Sequence, residues 1–228
     1  QEFEARFGEG VVGHAEHTTG DIFISSESPS FRSTFNAQPK DVLPYWSTLS
    51  RARTVYWHEF FHKAAFGSNR KPEQGLEMIV KADNKDYHLE AIHGFTLEYV
   101  NKESGQSKFS GSFDEGFVTY LVSTVERQMS GFVVYESSPE GETGTPGIKI
   151  DRVVNRLEAL FKKRRSWEKV FQKFHMESDF FGLARFLASQ SGLSFDTNFK
   201  RDAYGLGIIL SMSDDNAPNF DDFITRLK

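Results

Sequence analysis

The sequence has no cysteine. Disulfides, thiolate metal ligands and cysteine nucleophiles are therefore excluded. Long apolar runs are missing too. No stretch approaches the ~20 residues that a membrane-spanning helix needs, so no integral membrane segment is expected. Positive charge is not in excess: 27 Lys and Arg stand against 32 Asp and Glu, a formal net charge of −5. That balance lacks the basic footprint of a nucleic-acid binder. The one dense basic run, Lys162-Lys163-Arg164-Arg165, reads as a solvated helix end, where cations suit the dipole. Internal repeats and long low-complexity segments are also lacking. A start at Gln1 and the lack of cysteine fit a secreted or exported protein. What the chain has in abundance is rings, with 23 phenylalanines among 228 residues. That length allows one large domain or two small ones around a sizeable core.

Local pattern predicts a mixed chain. Gly20–Ser25 reads as a short β-branched strand. Residues 26–44, rich in Ser, Pro and Asn, read as loop. A long helix is expected from Pro44 to about Gly67, and a short one from Pro72 to about Lys81. Ile92–Val100 alternates and predicts a strand, followed by a polar turn over 101–111. A second long helix is expected over Ser112–Met129, then a short extended piece over Phe132–Tyr135. Ser137–Gly147 is the most linker-like segment and suggests a division into 1–147 and 148–228. Asp151–His175 is amphipathic and helical, broken near Ser166. Further helices are expected around 178–190, 202–212 and 219–227.

The stretch Tyr56-Trp57-His58-Glu59-Phe60-Phe61-His62 carries chemistry. Residues i and i+4 are neighbours one helical turn apart, so two imidazoles can reach one ion. At ~100° per residue, Trp46, Leu49, Trp57, Phe60, Phe61 and Ala64 form one arc, expected to be the buried back. His58 and His62 share another, and Glu59 is placed to take a proton from water. The plain competing reading is a core helix with two hydrogen-bonded histidines. A catalytic site needs a third protein ligand. A continuation that places a glycine and then a histidine shortly after His62 fails, because Ala65 and Ser68 stand at those positions. Glu115, in Phe113-Asp114-Glu115-Gly116-Phe117, is a suitable third ligand. Phe117, Val118, Leu121, Val122 and Val125 fill an arc that excludes it. Asp114, Glu90 and Glu98 are rivals, and Ser112 with Glu115 also matches a helix capping box. His14 and His17 read as surface side chains, and His175 as a helix-end histidine.

His58-Glu59-Phe60-Phe61-His62 followed by Asp114-Glu115-Gly116-Phe117 resembles the gluzincin metallopeptidases, and DEGFVTYL is similar to a segment of their membrane-alanyl-aminopeptidase branch. The resemblance covers two short segments. It implies one zinc per chain on His58, His62 and Glu115, with Glu59 as general base. It also implies a strand just before the active helix, which Gly20–Ser25 could supply, and a Tyr or His that stabilises the oxyanion, for which Tyr135, His175 and Tyr204 are candidates. No Gly-x-Met-Glu-Asn exopeptidase signature lies upstream.

The expectation is an α+β, zincin-like fold: a small mixed sheet, the two site helices, and a helical C-terminal part beside the cleft. The expected activity is zinc-dependent hydrolysis of peptide or protein substrates, as an endopeptidase. The alternatives are an inactive zincin-like binding or regulatory domain, and a toxin or effector protease specific for one host protein.

Overall fold

The computed structural model describes residues 2–7, 13–15, 21–25, 42–66, 78–82, 85–130 and 148–213. The class is α+β, with helices predominating. No described helix is long and apolar enough to cross a membrane. The chain folds as two compact units that interleave in sequence. The first comprises 1–67 and 115–147, the second 68–114 and 148–228. The expected division at 147/148 coincides with a passage between units, but the sheet of residues 78–110 belongs with the C-terminal helices.

The first unit contains α1 (Glu2–Phe7), β1 (Gly13–Ala15), β2 (Ile22–Ile24) and α2 (Val42–Phe66). It also takes α3 (Ser112–Ser130) from Glu115 onward. β1 and β2 pair antiparallel, His14 opposite Phe23, and pack against α2. Pro44 is tolerated because it falls in the first turn of α2, where no intrahelical N–H bond is lost. The core draws Val55 and Ala65 from α2 and Phe117, Val118, Leu121 and Val122 from α3. Arg53 presents its guanidinium fork to Glu126, with contacts of 2.9 and 2.6 Å. Glu126 is fully buried, so the fork replaces the water that its carboxylate gives up.

The packing of α2 reverses one expectation. Of the arc expected to be the buried back, Phe60 is 37% exposed and Trp57, Phe61 and Ala64 are half-buried, while the side chains of Trp46 and Leu49 lie outside the described residues; Tyr56, beside the arc, is 44% exposed. These rings pack on one another, with Trp57 and Phe60 edge to face at 5.4 Å. The buried stripe instead holds Thr54, Val55, His58, Glu59, His62 and Ala65. It follows the 3–4 spacing of a packed helix face, and the hairpin lies against α2.

The second unit holds a four-stranded antiparallel meander. Its strands are β3 (Met78–Ala82), β4 (Lys85–His93), β5 (Thr96–Asn101) and β6 (Ser107–Ser110). Four helices follow: α4 (Ile150–Phe161), α5 (Trp167–Met176), α6 (Phe180–Gln190) and α7 (Asn198–Ser213). The helix expected over 72–81 is corrected at its end. Met78, Ile79 and Val80 pair with Leu89, His88 and Tyr87, and β-branched residues suit that ladder. The strand expected over 92–100 breaks at Gly94, whose φ of +49° turns β4 into β5. β6 occupies residues expected as turn. Ile150, Val153, Leu157 and Phe161 are buried along α4; Trp167, Phe171 and His175 are buried along α5. The break expected near Ser166 falls between these helices. The segments 132–135, 137–147 and 219–227 lie outside the described residues.

Candidate metal centre

α2 and α3 bring together the three expected ligands. Among the described residues, His58, His62 and Glu115 form a group whose potential ligand atoms lie within 4.8 Å of one another. The Nε2 atoms of His58 and His62 are 3.1 Å apart. Each faces one carboxylate oxygen of Glu115, at 3.1 and 3.4 Å. Atoms bound at ~2.0–2.1 Å around a tetrahedral ion are separated by ~3.3–3.4 Å, and these contacts, made to two different oxygens of Glu115, lie near that spacing. Oε2 of Glu115 is buried within 3.1 Å of His58 Nε2. Two imidazoles and a carboxylate, with no thiolate, form a donor set that zinc, iron, copper and nickel all accept.

Glu115 emerges from the first turn of α3, where the helix dipole favours a carboxylate. Burial would raise its pKa, but the imidazoles of His58 and His62 outweigh that and hold it at about 2. Glu115 is thus turned toward the histidines, and the capping-box use is displaced.

Glu59 lies on the same helix as the two imidazoles and is 4% exposed. Burial raises its pKa above the ordinary carboxylate value, against the opposing influence of His58 and His62. The β1 backbone passes close beside it. A Cβ placed on Gly13 would stand 2.6 Å from Glu59 Oε1 and 2.9 Å from Val55 Cγ1. Gly13 therefore permits the strand to approach the carboxylate as no other residue could. Sequence reasoning passed over Gly13, since one glycine in a mixed segment carries no signal of what packs on it. The strand expected just before the active helix is β2, Ile22–Ile24 within Gly20–Ser25, and β1 pairs with it and packs on α2 as well. His14 is half-buried, its ring 4.5 Å from that of Phe7.

The rivals of Glu115 go elsewhere. Asp114 belongs to the second unit, where Oδ1 accepts the Phe95 N–H at 2.7 Å and lies 3.0 Å from His175 Nε2. Glu90 and Glu98 face each other across β4 and β5. Of the oxyanion candidates, Tyr135 lies outside the described residues. His175, expected at a helix end, is fully buried beside Asp114. Tyr204 lies on α7, its ring 5.4 Å from that of Phe195. No protein-family model, curated protein or solved structure matches this chain.

Proposed function

We propose that the chain is a zincin-like metallopeptidase, an endopeptidase acting on peptide or protein substrates with one zinc ion held by His58, His62 and Glu115. The observation that carries this reading is the cluster of two imidazole nitrogens 3.1 Å apart, facing the two carboxylate oxygens of Glu115 at 3.1 and 3.4 Å, with Glu59 next to His58 in the chain. When bound, zinc supplies Lewis acidity toward a carbonyl and lowers the pKa of water. Glu59 takes the proton of the attacking water and returns it to the leaving amine. Burial suits Glu59 to both tasks, since a raised pKa makes it a better proton carrier near neutrality. β1, close beside Glu59, is the element best placed to align an extended peptide by strand addition.

The depth of the site favours a second reading. Glu59, His58 and His62 are 4%, 6% and 7% exposed, which would suit a domain that holds metal and binds partners without hydrolysis. One experiment tests both. Purified chain should carry close to one zinc and cleave a peptide library. Glu59→Gln should keep the zinc and lose at least ~10²–10⁴-fold in rate, the usual contribution of a positioned general base. Zinc without cleavage by the wild type would establish the second reading, and no zinc at all would refute both.

A further inference from the structure

We infer that Arg53 and Glu126 are a positioning pair for the metal ligands, holding α2 and α3 at the angle and rotation that bring Glu115 to His58 and His62. The inference rests on the metal-site reading above. It lies wholly within the first unit, which takes α2 and, from Glu115 onward, α3. Arg53 Nε donates to Glu126 Oε1 at 2.9 Å, and Nη2 donates to Oε2 at 2.6 Å. The Glu126 side chain is fully buried and that of Arg53 is 33% exposed. A two-bond fork of this kind fixes direction as well as distance. Apolar burial has no preferred direction. Val55 and Ala65 on α2, and Phe117, Val118, Leu121 and Val122 on α3, are buried; they supply cohesion without setting a unique register.

The pair and the metal cluster join the same two helices at two levels. On α2, Arg53 precedes His58 by five residues, a rise of ~7–8 Å. On α3, Glu126 follows Glu115 by eleven, a rise of ~16 Å. The order is reversed between the helices, so α2 and α3 run antiparallel where these contacts join them. A contact at one level leaves two rods free to pivot about it, and a second level removes the pivot. Rotation is set as well. Eleven residues at ~100° each make three turns and ~20°, so Glu126 and Glu115 leave α3 on one face. A turn of α3 about its axis that carried Glu115 away from the histidines would also draw Glu126 out of the Arg53 fork. Ligand distances at a metal are held within about 0.2 Å, so small errors in helix placement reach the site.

The test titrates the metal-free full chain with Co²⁺ alone. It reads affinity, the visible d–d spectrum at saturation, and the thermal midpoint without metal. The double variant Arg53→Met/Glu126→Met exchanges the ion pair for two apolar side chains, a change that buried pairs often bear without loss of stability. It should fold with a midpoint near that of wild type. It should bind Co²⁺ at least ~10-fold more weakly with an altered spectrum, since groups that orient a ligand typically contribute ~10–100-fold. Glu126→Gln keeps one acceptor for the fork and puts an amide where the second oxygen stood, so one of the two bonds is lost. Its binding should weaken by a smaller factor. Wild-type affinity and spectrum in the double variant, at any midpoint, overturn the inference while the metal site stands. Weaker binding with a wild-type spectrum at saturation reports lost folding and not misplaced ligands, and overturns it too. If the double variant does not fold, Glu126→Gln decides, and wild-type affinity and spectrum there overturn the inference. A wild-type chain that binds no Co²⁺ overturns the metal-site reading and this inference together.

Discussion

Asp114 and Glu115 are consecutive in one helical turn, both face histidine, and both are largely buried, yet their surroundings differ in kind. Asp114 meets complementary groups: a backbone N–H at 2.7 Å and an imidazole at 3.0 Å, packed under the Phe95 ring. Glu115 meets two imidazoles whose Nε2 atoms are themselves 3.1 Å apart. Two neutral imidazoles at that distance can share at most one proton between those nitrogens. In the first cluster a backbone N–H donates to the carboxylate, and one imidazole lies beside the same oxygen. The second brings two imidazole nitrogens and a carboxylate oxygen within 4.8 Å of one another, a grouping that could hold a cation. A buried histidine beside a carboxylate is thus no sign of function by itself; the second imidazole separates the two cases.

The contrast breaks most visibly on ligand removal. Glu115→Ala should lose more than ~100-fold in zinc affinity, beyond the ~10–100-fold typical of groups that merely orient a ligand. Wild type in zinc at 100 times its Kd should gain about 2.7 kcal/mol of stability, and Glu115→Ala should gain almost none at the same zinc concentration. Thermal denaturation with and without zinc reads both effects. An equal zinc-dependent gain in the variant would show that Glu115 is not a ligand.

Metal-free stability sharpens the contrast from the other side. His175→Leu leaves Asp114 buried without its imidazole and should cost about 2–4 kcal/mol in urea denaturation of the metal-free chain. His62→Leu removes one of two imidazoles crowded together and should change stability by less than about 1 kcal/mol, since apolar replacement of buried polar groups is often neutral. Equal costs at the two positions would mean that the metal-free cluster is paired just as well, and the comparison would fail.

Much of the site was legible because its chemistry is local. His58, Glu59 and His62 announce themselves by spacing within a single helix, and α2 runs from Val42 to Phe66, close to the expected 44–67. Glu115 was legible because Phe117, Val118, Leu121, Val122 and Val125 mark the packing arc of α3, and of these the first four are buried and Val125 half-buried. The amphipathic C-terminal helices were legible for the same reason. What escaped depends on long-range pairing. Met78–Ala82 was expected within a helix and becomes a strand through pairing with β4, and Ser107–Ser110 becomes one through pairing with β5. The buried face of α2 escaped because Trp57, Phe60 and Phe61 outweigh the histidines in any count of apolar residues. The pattern finds an amphipathic face only when its partner surface is apolar, and here the hairpin packs over a stripe that includes polar side chains.

Gly13 carries the smallest and most specific prediction. An added methyl would sit 2.6 Å from Glu59 Oε1 and 2.9 Å from both Glu59 Cγ and Val55 Cγ1. Either β1 lifts from α2 or the Glu59 side chain turns aside. His58 and His62 are not among the atoms met, so zinc content should remain at one per chain in Gly13→Ala. The displaced group is the proposed base, and a misplacement near 1 Å can cost up to ~100-fold; a loss of about tenfold in kcat is expected, with KM changing less. Measured zinc content alongside kcat and KM decides the matter. Full kcat in Gly13→Ala would mean that Glu59 needs no fixed position beneath β1, removing the role given to the hairpin. Loss of zinc along with activity would mean that β1 supports the ligands of α2 and not the base alone.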